Sequence, residues 1–279
     1  MGVEVIERSF QKMGARVRIS NLEPIRQRSR PFGELSHERN VMPFNINVLR
    51  DKKGEYFDLA VDHSVKDFKL NVLNLSAEDR HMLLYASVPQ YNRIGQEVDK
   101  IGARVLVGHD ERHWFAAGIN SAVSTVADAK RSLKPVEVLE KEHGIRVKER
   151  NKRHNAVRLR QGEWFFVAAP SFKLDRFTLV LKNEPLSRGR GSKPHVCQEI
   201  VRGGGETVMV RGSDIITVSA WEQLPADKQR GYQRMTRNAD VHARGTVRHS
   251  DHATIVLDGW HKVYMNRESN LLGAVTFLD

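Results

Sequence analysis

The chain has 279 residues, of which 40% are hydrophobic and 28% are charged, and its 45 Lys and Arg against 34 Asp and Glu give a formal net charge of +11. This apolar content excludes an intrinsically disordered chain, and no apolar run reaches the roughly 20 residues that span a bilayer. A single cysteine, Cys197, excludes an internal disulfide, and no secretory leader is recognisable, so we expect a cytoplasmic protein without a membrane partner.

The first third of the chain consists of short apolar runs between polar turns, which is typical of antiparallel strands. FNINVLR and EYFDLAV flank a turn that ends in Gly54 and predict a hairpin over residues 44–61. LNVLNL and HMLLYASV predict two more strands around SAEDR, although Ser76 followed by Asp79 is also the pattern that opens a short helix. ARVLVG and HWFAAGI flank HDER as two strands flank a turn.

The segment STVADAKRSLKPVEVLEKEHG, residues 124–144, predicts a helix. Ser124 or Thr125 would cap it, and Pro135 would stop or restart it. Together with the preceding strands it predicts an α+β unit that ends near residue 143.

The second half of the chain is first densely basic and then rich in predicted strands. The glycines at 203–205 predict a hairpin turn, and SAWEQLPADKQRGYQRMTRN, residues 219–238, is the one predicted helical interruption. We therefore predict an α+β fold of predominantly antiparallel β-hairpins with a few short helices. It comprises two β-rich units, residues 1–143 and residues 144–279, the second being a mostly antiparallel β domain.

A basic stretch over residues 146–160 is the strongest functional signal, and three aromatic residues follow it at 164–166. Guanidinium groups pair with phosphate, and aromatic rings stack on unpaired bases. We therefore predict a protein that binds DNA or RNA through phosphate contacts, with no catalysis and no cofactor assumed. The predicted contacts are Arg146, Lys148, Arg150, Lys152, Arg153, Arg158 and Arg160, joined by Arg188 and Arg190 from an exposed loop.

The turn HDER and the residue after it place two histidines and two carboxylates within five positions. On a helix, His109 and His113 would share a face as two metal ligands do. The apolar strands on both sides predict a polar hairpin tip instead. His109, Asp110, Glu111 and His113 are the catalytic candidates of this turn.

A second polar cluster lies in VRHSDHATIVLDGWHKV, where the metal-ligand candidates are His249, Asp251, His252 and His261. On a continuous strand His249 and His252 would face opposite sides, but a turn at residues 250 and 251 would reunite them. If this cluster faced the first, the pair would suit metal-assisted or general acid/base hydrolysis. A metal-dependent hydrolase or nuclease with a divalent cation is therefore the alternative function.

Two further interpretations remain at this stage. The basic surface would also suit a protein-interaction or assembly subunit that meets an acidic protein partner. Cys197 lies two positions after His195, so on a strand the two would share a face and could form a Cys/His nucleophile, but the apolar run HVCQEIV favours packing for Cys197.

Overall fold

The computed structural model describes residues 3–22, 42–92, 94–187, 193–212, 214–237, 239–268 and 275–276. These residues are β-rich with antiparallel sheets and few, short helices, as predicted. Arg188 and Arg190, two of the predicted phosphate contacts, lie outside the described residues. Among the helices of the described part, none has the length and apolar character needed to cross a membrane.

Two four-stranded sheets are built mainly by the first 119 residues. Their elements are α1 (Val3–Lys12), β1 (Val17–Asn21), β2 (Phe44–Asp51), β3 (Gly54–Val61), β4 (Lys69–Ser76), β5 (His81–Tyr91), β6 (Glu97–Asp110) and β7 (His113–Ile119). The strand orders are β1-β3-β2-β17 and β4-β5-β6-β7, where the short β17 comes from the end of the chain (Val275–Thr276). The hairpin over 44–61, the loop at SAEDR and the turn at HDER are therefore confirmed.

The core between these two sheets follows from the period-two alternation of the strands. Phe44, Ile46 and Val48 of β2 are buried, and Phe10 of α1 packs on Phe57 of β3 with ring centroids 4.9 Å apart. The inward side chains of β5 and β6 belong to the same core, so the sheets lie face to face. The hairpin tip at residues 110–113 extends from one end of this layered structure.

Three short helices follow, α2 (Val126–Ser132), α3 (Val136–Glu142) and α4 (Val147–Arg150). The Oγ1 of Thr125 accepts the backbone N–H of Asp128 at 3.1 Å and caps α2, and Pro135 separates α2 from α3 because proline cannot continue a helix. Val138 of α3 packs on Phe165, in a strand of the second half, so α3 contacts both halves. The boundary at residue 143 stays a prediction.

A six-stranded antiparallel sheet and a three-stranded sheet make up the rest. The elements are β8 (Arg158–Gln161), β9 (Trp164–Ala168), β10 (Leu181–Leu186), β11 (His195–Gly203), β12 (Glu206–Arg211), β13 (Asp214–Thr217), α5 (Val218–Glu222), α6 (Ala226–Gln229), β14 (Gln233–Arg237), β15 (Asp240–Arg248) and β16 (Ile255–Met265). The strand orders are β10-β11-β15-β16-β9-β8 and β13-β12-β14. The first of these sheets carries the candidate functional site.

Two local predictions in this half are wrong. The glycines at 203–205 do not close a hairpin, because β11 pairs with β15, through Gly203 and Asp240, whereas β12 pairs with β14, through Glu206 and Arg237. They lie between a strand of the six-stranded sheet and a strand of the three-stranded sheet. The predicted helix over 219–238 forms only as α5 and α6, since residues 233–237 pair with β12 as the strand β14.

Candidate metal centre

Three histidines meet at one end of the six-stranded sheet. His195 begins β11, His249 follows the last residue of β15, and His252 lies just before β16. Since Val196 pairs with Arg248, the pairing of β11 and β15 brings the first two together, and the turn at residues 250 and 251 returns the third to the same side. The ring centroids lie 4.2 to 5.6 Å apart, and one ligand atom from each ring lies within 4.8 Å of the others.

The protonation of the His195 ring is determined by Gln161, a buried residue at the end of β8. The Gln161 amide nitrogen donates to the carbonyls of Val247 and Ala253, at 3.2 and 2.6 Å. The Oε1 atom must therefore face His195 Nδ1, 2.9 Å away, and Nδ1 must carry the proton. The lone pair of His195 is left on Nε2, which is buried without a hydrogen-bond partner among the described residues.

His252 is oriented in a similar way by Glu111, from the hairpin tip of the first half. A Glu111 carboxylate oxygen lies 3.3 Å from His252 Nδ1 and accepts the backbone N–H of Ala253 at 2.9 Å. A carboxylate beside Nδ1 favours the tautomer with its proton on that atom, which leaves Nε2 to bind a cation. This carboxylate–histidine arrangement is common behind metal-bound imidazoles.

Gly162 lies next to the Nε2 atoms of both His195 and His252. A Cβ at this position would lie 2.9 Å from His252 Nε2 and 3.2 Å from His195 Nε2. Gly162 also has φ of +56°, in the left-handed region that other residues rarely adopt. Both the backbone conformation and the close approach of the rings therefore require glycine in the turn between β8 and β9.

His249 is the least prepared of the three for ligation. Its Nδ1 accepts the backbone N–H of Asp251 at 3.1 Å, and its Nε2 is buried without a hydrogen-bond partner among the described residues. Burial, followed by the neighbouring His195, lowers the pKa of both His249 and His252 to about 4. These two rings are consequently neutral near pH 7, which is the form that binds a metal ion.

The turn 109–113 packs directly against this centre, as the hypothesis of a joint site requires. Asp110 pairs with both Arg153 and Arg160, and Arg153 also pairs with Glu111. Burial would raise the pKa of Asp110, but the charges of Arg160 and Arg153 hold it below its ordinary value. The Asp110 carboxylate is thus ionised near neutral pH and held in place by the two arginines.

The two histidines of that turn lie on opposite faces of the hairpin. Asp110 pairs with His113, and His109 with Trp114, so His109 turns away and packs edge-on against the indole, with ring centroids 4.9 Å apart. His113 is hydrogen-bonded to Glu55, and its other nitrogen lies 3.9 Å from Asp251. They are not a pair of ligands, and only His113 faces the second turn.

Several of the predicted phosphate contacts in the basic stretch 146–160 make internal contacts, and their role in binding phosphate stays a prediction. Arg158 is 3% exposed and pairs with Glu142, which also holds Lys134 at 2.6 Å. Arg150 donates to two backbone carbonyls within its own segment. Among the described residues, the predicted contacts that are exposed are Arg146, Lys148 and Lys152, of which Lys152 pairs with Glu149 at 2.8 Å.

The structure excludes His261, a predicted metal ligand, from the histidine cluster and includes His195, which was not predicted as one. His261 lies on β16 with Nδ1 2.9 Å from the carbonyl of Gly259, and it is not part of the three-histidine group. His195 is part of it, but its sequence neighbourhood drew attention only to Cys197. The Cys197 side chain is buried in the core of the sheet, and burial raises its thiol pKa to about 12, which does not suit a nucleophile.

A cleft of about 190 Å³ extends from the histidines between the two halves of the chain. Gly162, Glu163 and His252 lie at one end, Arg153 and Arg160 form a wall, and the remaining lining includes the apolar side chains Leu106, Phe115, Leu133 and Phe165. A Glu163 carboxylate oxygen lies 3.5 Å from His195 Nε2.

Comparisons of the chain with protein-family models, with curated proteins and with solved structures found no match.

Proposed function

We propose that the protein is a metal-dependent hydrolase whose divalent cation is bound by His195, His249 and His252. The observation that carries the proposal is that the Nε2 atoms of His195 and His252, two separately oriented imidazoles, both lie next to Gly162. Three histidines without a fourth thiolate are typical of catalytic zinc sites, where a water molecule takes the open position. Manganese and iron are alternative ions for this donor set.

The ring positions suit such an ion after a small adjustment. In a tetrahedral site with metal–nitrogen bonds of about 2.0 to 2.1 Å, the ligand nitrogens lie about 3.4 Å apart. The ligand atoms of the three rings lie within 4.8 Å of one another, so the closure required is at most about 1.4 Å. Rotation of the His249 ring, which must give up its bond to the Asp251 N–H to bind through Nε2, supplies a movement of this size.

A divalent cation held by the three histidines would supply activation of a water molecule, and a carboxylate of this chain would accept the proton that the water loses. Glu163 is the candidate base, because it lines the cleft next to His195. Gln161 and Glu111 are positioning residues, since each orients an imidazole without facing the cleft opening. Nucleic-acid binding without catalysis receives less support, because Arg158 is buried in an ion pair with Glu142 and Arg153 pairs with both Asp110 and Glu111.

The proposal is tested by measuring metal content in protein purified without a histidine tag and dialysed against limiting Zn²⁺ or Mn²⁺. We expect about one bound ion per chain by plasma mass spectrometry and its loss in His195→Ala. His63→Ala is the matched control, since His63 is exposed and far along the chain from the cluster, and it should keep the ion. A wild-type chain that binds no ion, or a His195→Ala variant that binds one as tightly, would contradict the proposal.

A further inference from the structure

We infer that the bond hydrolysed at this centre is a phosphodiester of a nucleic acid strand, an inference that rests on the proposed hydrolase function. The cleft wall and its charges point to this substrate class. The basic stretch, which the sequence singled out for phosphate contacts, supplies that wall.

The chain from Asn151 to Gly162 leads from the protein surface to the histidines. Asn151, Arg153, Arg158 and Arg160 all line the cleft, and Gly162 stands at its metal end. The exposed cations of the same stretch, Arg146, Lys148 and Lys152, come immediately before it and include α4. A polyanionic strand that lies along these exposed cations is therefore led toward the centre.

A divalent cation would change the sign of the charge carried by the ion pairs next to the histidines. Among the described residues, the ion pairs of Asp110, Glu111, Glu163 and Asp251 contain these four anions and, apart from imidazoles, the three cations Arg153, Arg160 and Lys193. They leave one net negative charge, which favours cation binding. With a divalent ion the sum becomes one net positive charge, which favours an anionic substrate over a neutral ester or a cationic one.

Arg160 is placed to bind the substrate phosphate. Its Nε donates to the Gly162 carbonyl at 2.8 Å and its Nη2 to Asp110 at 2.7 Å, so the guanidinium is fixed beside the metal end of the cleft. One third of its side chain is still exposed. A guanidinium held in this way presents a planar edge that suits the oxygens of a phosphate group.

The reaction is an ordinary hydrolysis and needs no oxidant or second substrate. The oxygen of one water molecule forms a bond to phosphorus while the bond from phosphorus to the leaving oxygen breaks. One water proton passes to the Glu163 carboxylate and then to the leaving oxygen, so the products are a phosphomonoester and an alcohol.

The first experiment compares three substrates on the Zn²⁺- or Mn²⁺-loaded full chain: labelled single-stranded DNA and RNA oligonucleotides, bis(4-nitrophenyl) phosphate, and 4-nitrophenyl acetate. We expect hydrolysis of the phosphodiesters. In Arg160→Gln, kcat/KM for them should fall about 100-fold, the size of effect seen when one well-placed donor to a charged substrate oxygen is removed. Metal content should stay at the wild-type level in this variant, and Arg176→Gln, on an exposed loop, is the control.

The second experiment tests whether the phosphodiester belongs to a nucleic acid. In the double variant Lys148→Gln with Lys152→Gln, the magnitude of the slope of log binding constant against log salt should fall by about 1.4 for a single-stranded oligonucleotide. An unchanged slope, with small phosphodiesters still hydrolysed, would overturn the nucleic acid assignment. Hydrolysis of the acetate ester alone would overturn the phosphodiester inference and leave the hydrolase proposal standing, whereas a chain that binds no ion would remove the proposed function itself.

Discussion

Two polar turns, residues 109–113 and residues 249–252, have nearly the same composition but different environments. In the first, the charged side chains are paired with partners on other elements: Asp110 with Arg160, and His113 with Glu55. In the second, His249 Nε2 is buried without a hydrogen-bond partner among the described residues, and His252 has Nδ1 beside Glu111, which leaves its Nε2 next to Gly162. The first turn therefore holds the second in place through ion pairs and hydrogen bonds. The second turn carries the ring nitrogens that can still bind a ligand.

The difference shows that composition alone does not identify a metal site. A histidine with both nitrogens engaged has no lone pair left for a cation, whereas one whose Nδ1 is engaged has its other nitrogen prepared for ligation. Glu111 connects the two turns, because it belongs to the first and orients His252 in the second.

The largest expected difference between the turns comes from removing one histidine from each. His252→Ala should weaken Zn²⁺ binding by more than about 100-fold, because it deletes a proposed ligand. His113→Ala should leave the dissociation constant within about threefold and lower the free energy of unfolding by about 1 to 2 kcal/mol through the lost bond to Glu55. Isothermal titration and urea unfolding measure the two quantities. Equal loss of metal in both variants would remove the distinction between the turns.

The second prediction asks whether a side chain at position 162 lowers metal affinity by contacting the histidines or only by straining the backbone. Gly162→Ala and Gly204→Ala both place a side chain at positive φ, +56° and +62°, and each should cost about 1 kcal/mol or more in the free energy of unfolding. Only the first puts a Cβ against the histidines, since nothing lies within 4 Å of such an atom at Gly204. Gly162→Ala should therefore lose metal affinity while Gly204→Ala keeps it. Metal loss in both variants would mean that strain, and not the space beside the rings, explains the effect.

The third prediction concerns the residue that connects the turns. Glu111→Gln should weaken Zn²⁺ binding about 10- to 100-fold, the usual effect of changing a carboxylate behind a metal-bound histidine. Glu97→Gln, on the exposed end of β6, is the control and should bind as the wild type does. Unchanged affinity in Glu111→Gln would show that the first turn does not contribute to the centre.

The smallest expected effect is a pH dependence of the free energy of unfolding that comes from His81, a residue near the first turn. Burial, followed by the charge of Lys130, lowers the pKa of His81 to about 4, although Asp79 opposes the shift. The unfolded ring titrates near 6.5, so between these values the unfolded state binds more protons, and His81 contributes less to stability as the pH falls from about 6.5 toward 4.

Urea midpoints of the wild type and His81→Gln at pH 7 and pH 4.5 measure that contribution. The other histidines titrate in both proteins, so their effects cancel in the difference. The stability advantage of the wild type should be smaller at pH 4.5. An advantage that is the same at both pH values would show that His81 does not titrate in this range.

Local sequence patterns were sufficient for the β-rich, antiparallel character and for several turns. Alternation of apolar residues predicted the hairpin over 44–61, the strands flanking HDER predicted a hairpin tip, and Pro135 predicted the break between α2 and α3. The turn at residues 250 and 251 that reunites two histidines was also anticipated. Each of these depends on contacts between residues that are close in sequence, so the local pattern contains the information.

Tertiary structure decided which side chains form the candidate site. His195 joins His249 only because β11 pairs with β15, about fifty residues later, and Gln161 and Glu111 reach the rings from other elements. The burial of Arg158 against Glu142 likewise depends on how α3 packs on the sheet. A sequence read alone records that these residues are polar or basic. The partner that the fold places beside such a group decides its role. The group can bind a ligand, orient a ligand-binding side chain, or form an internal ion pair.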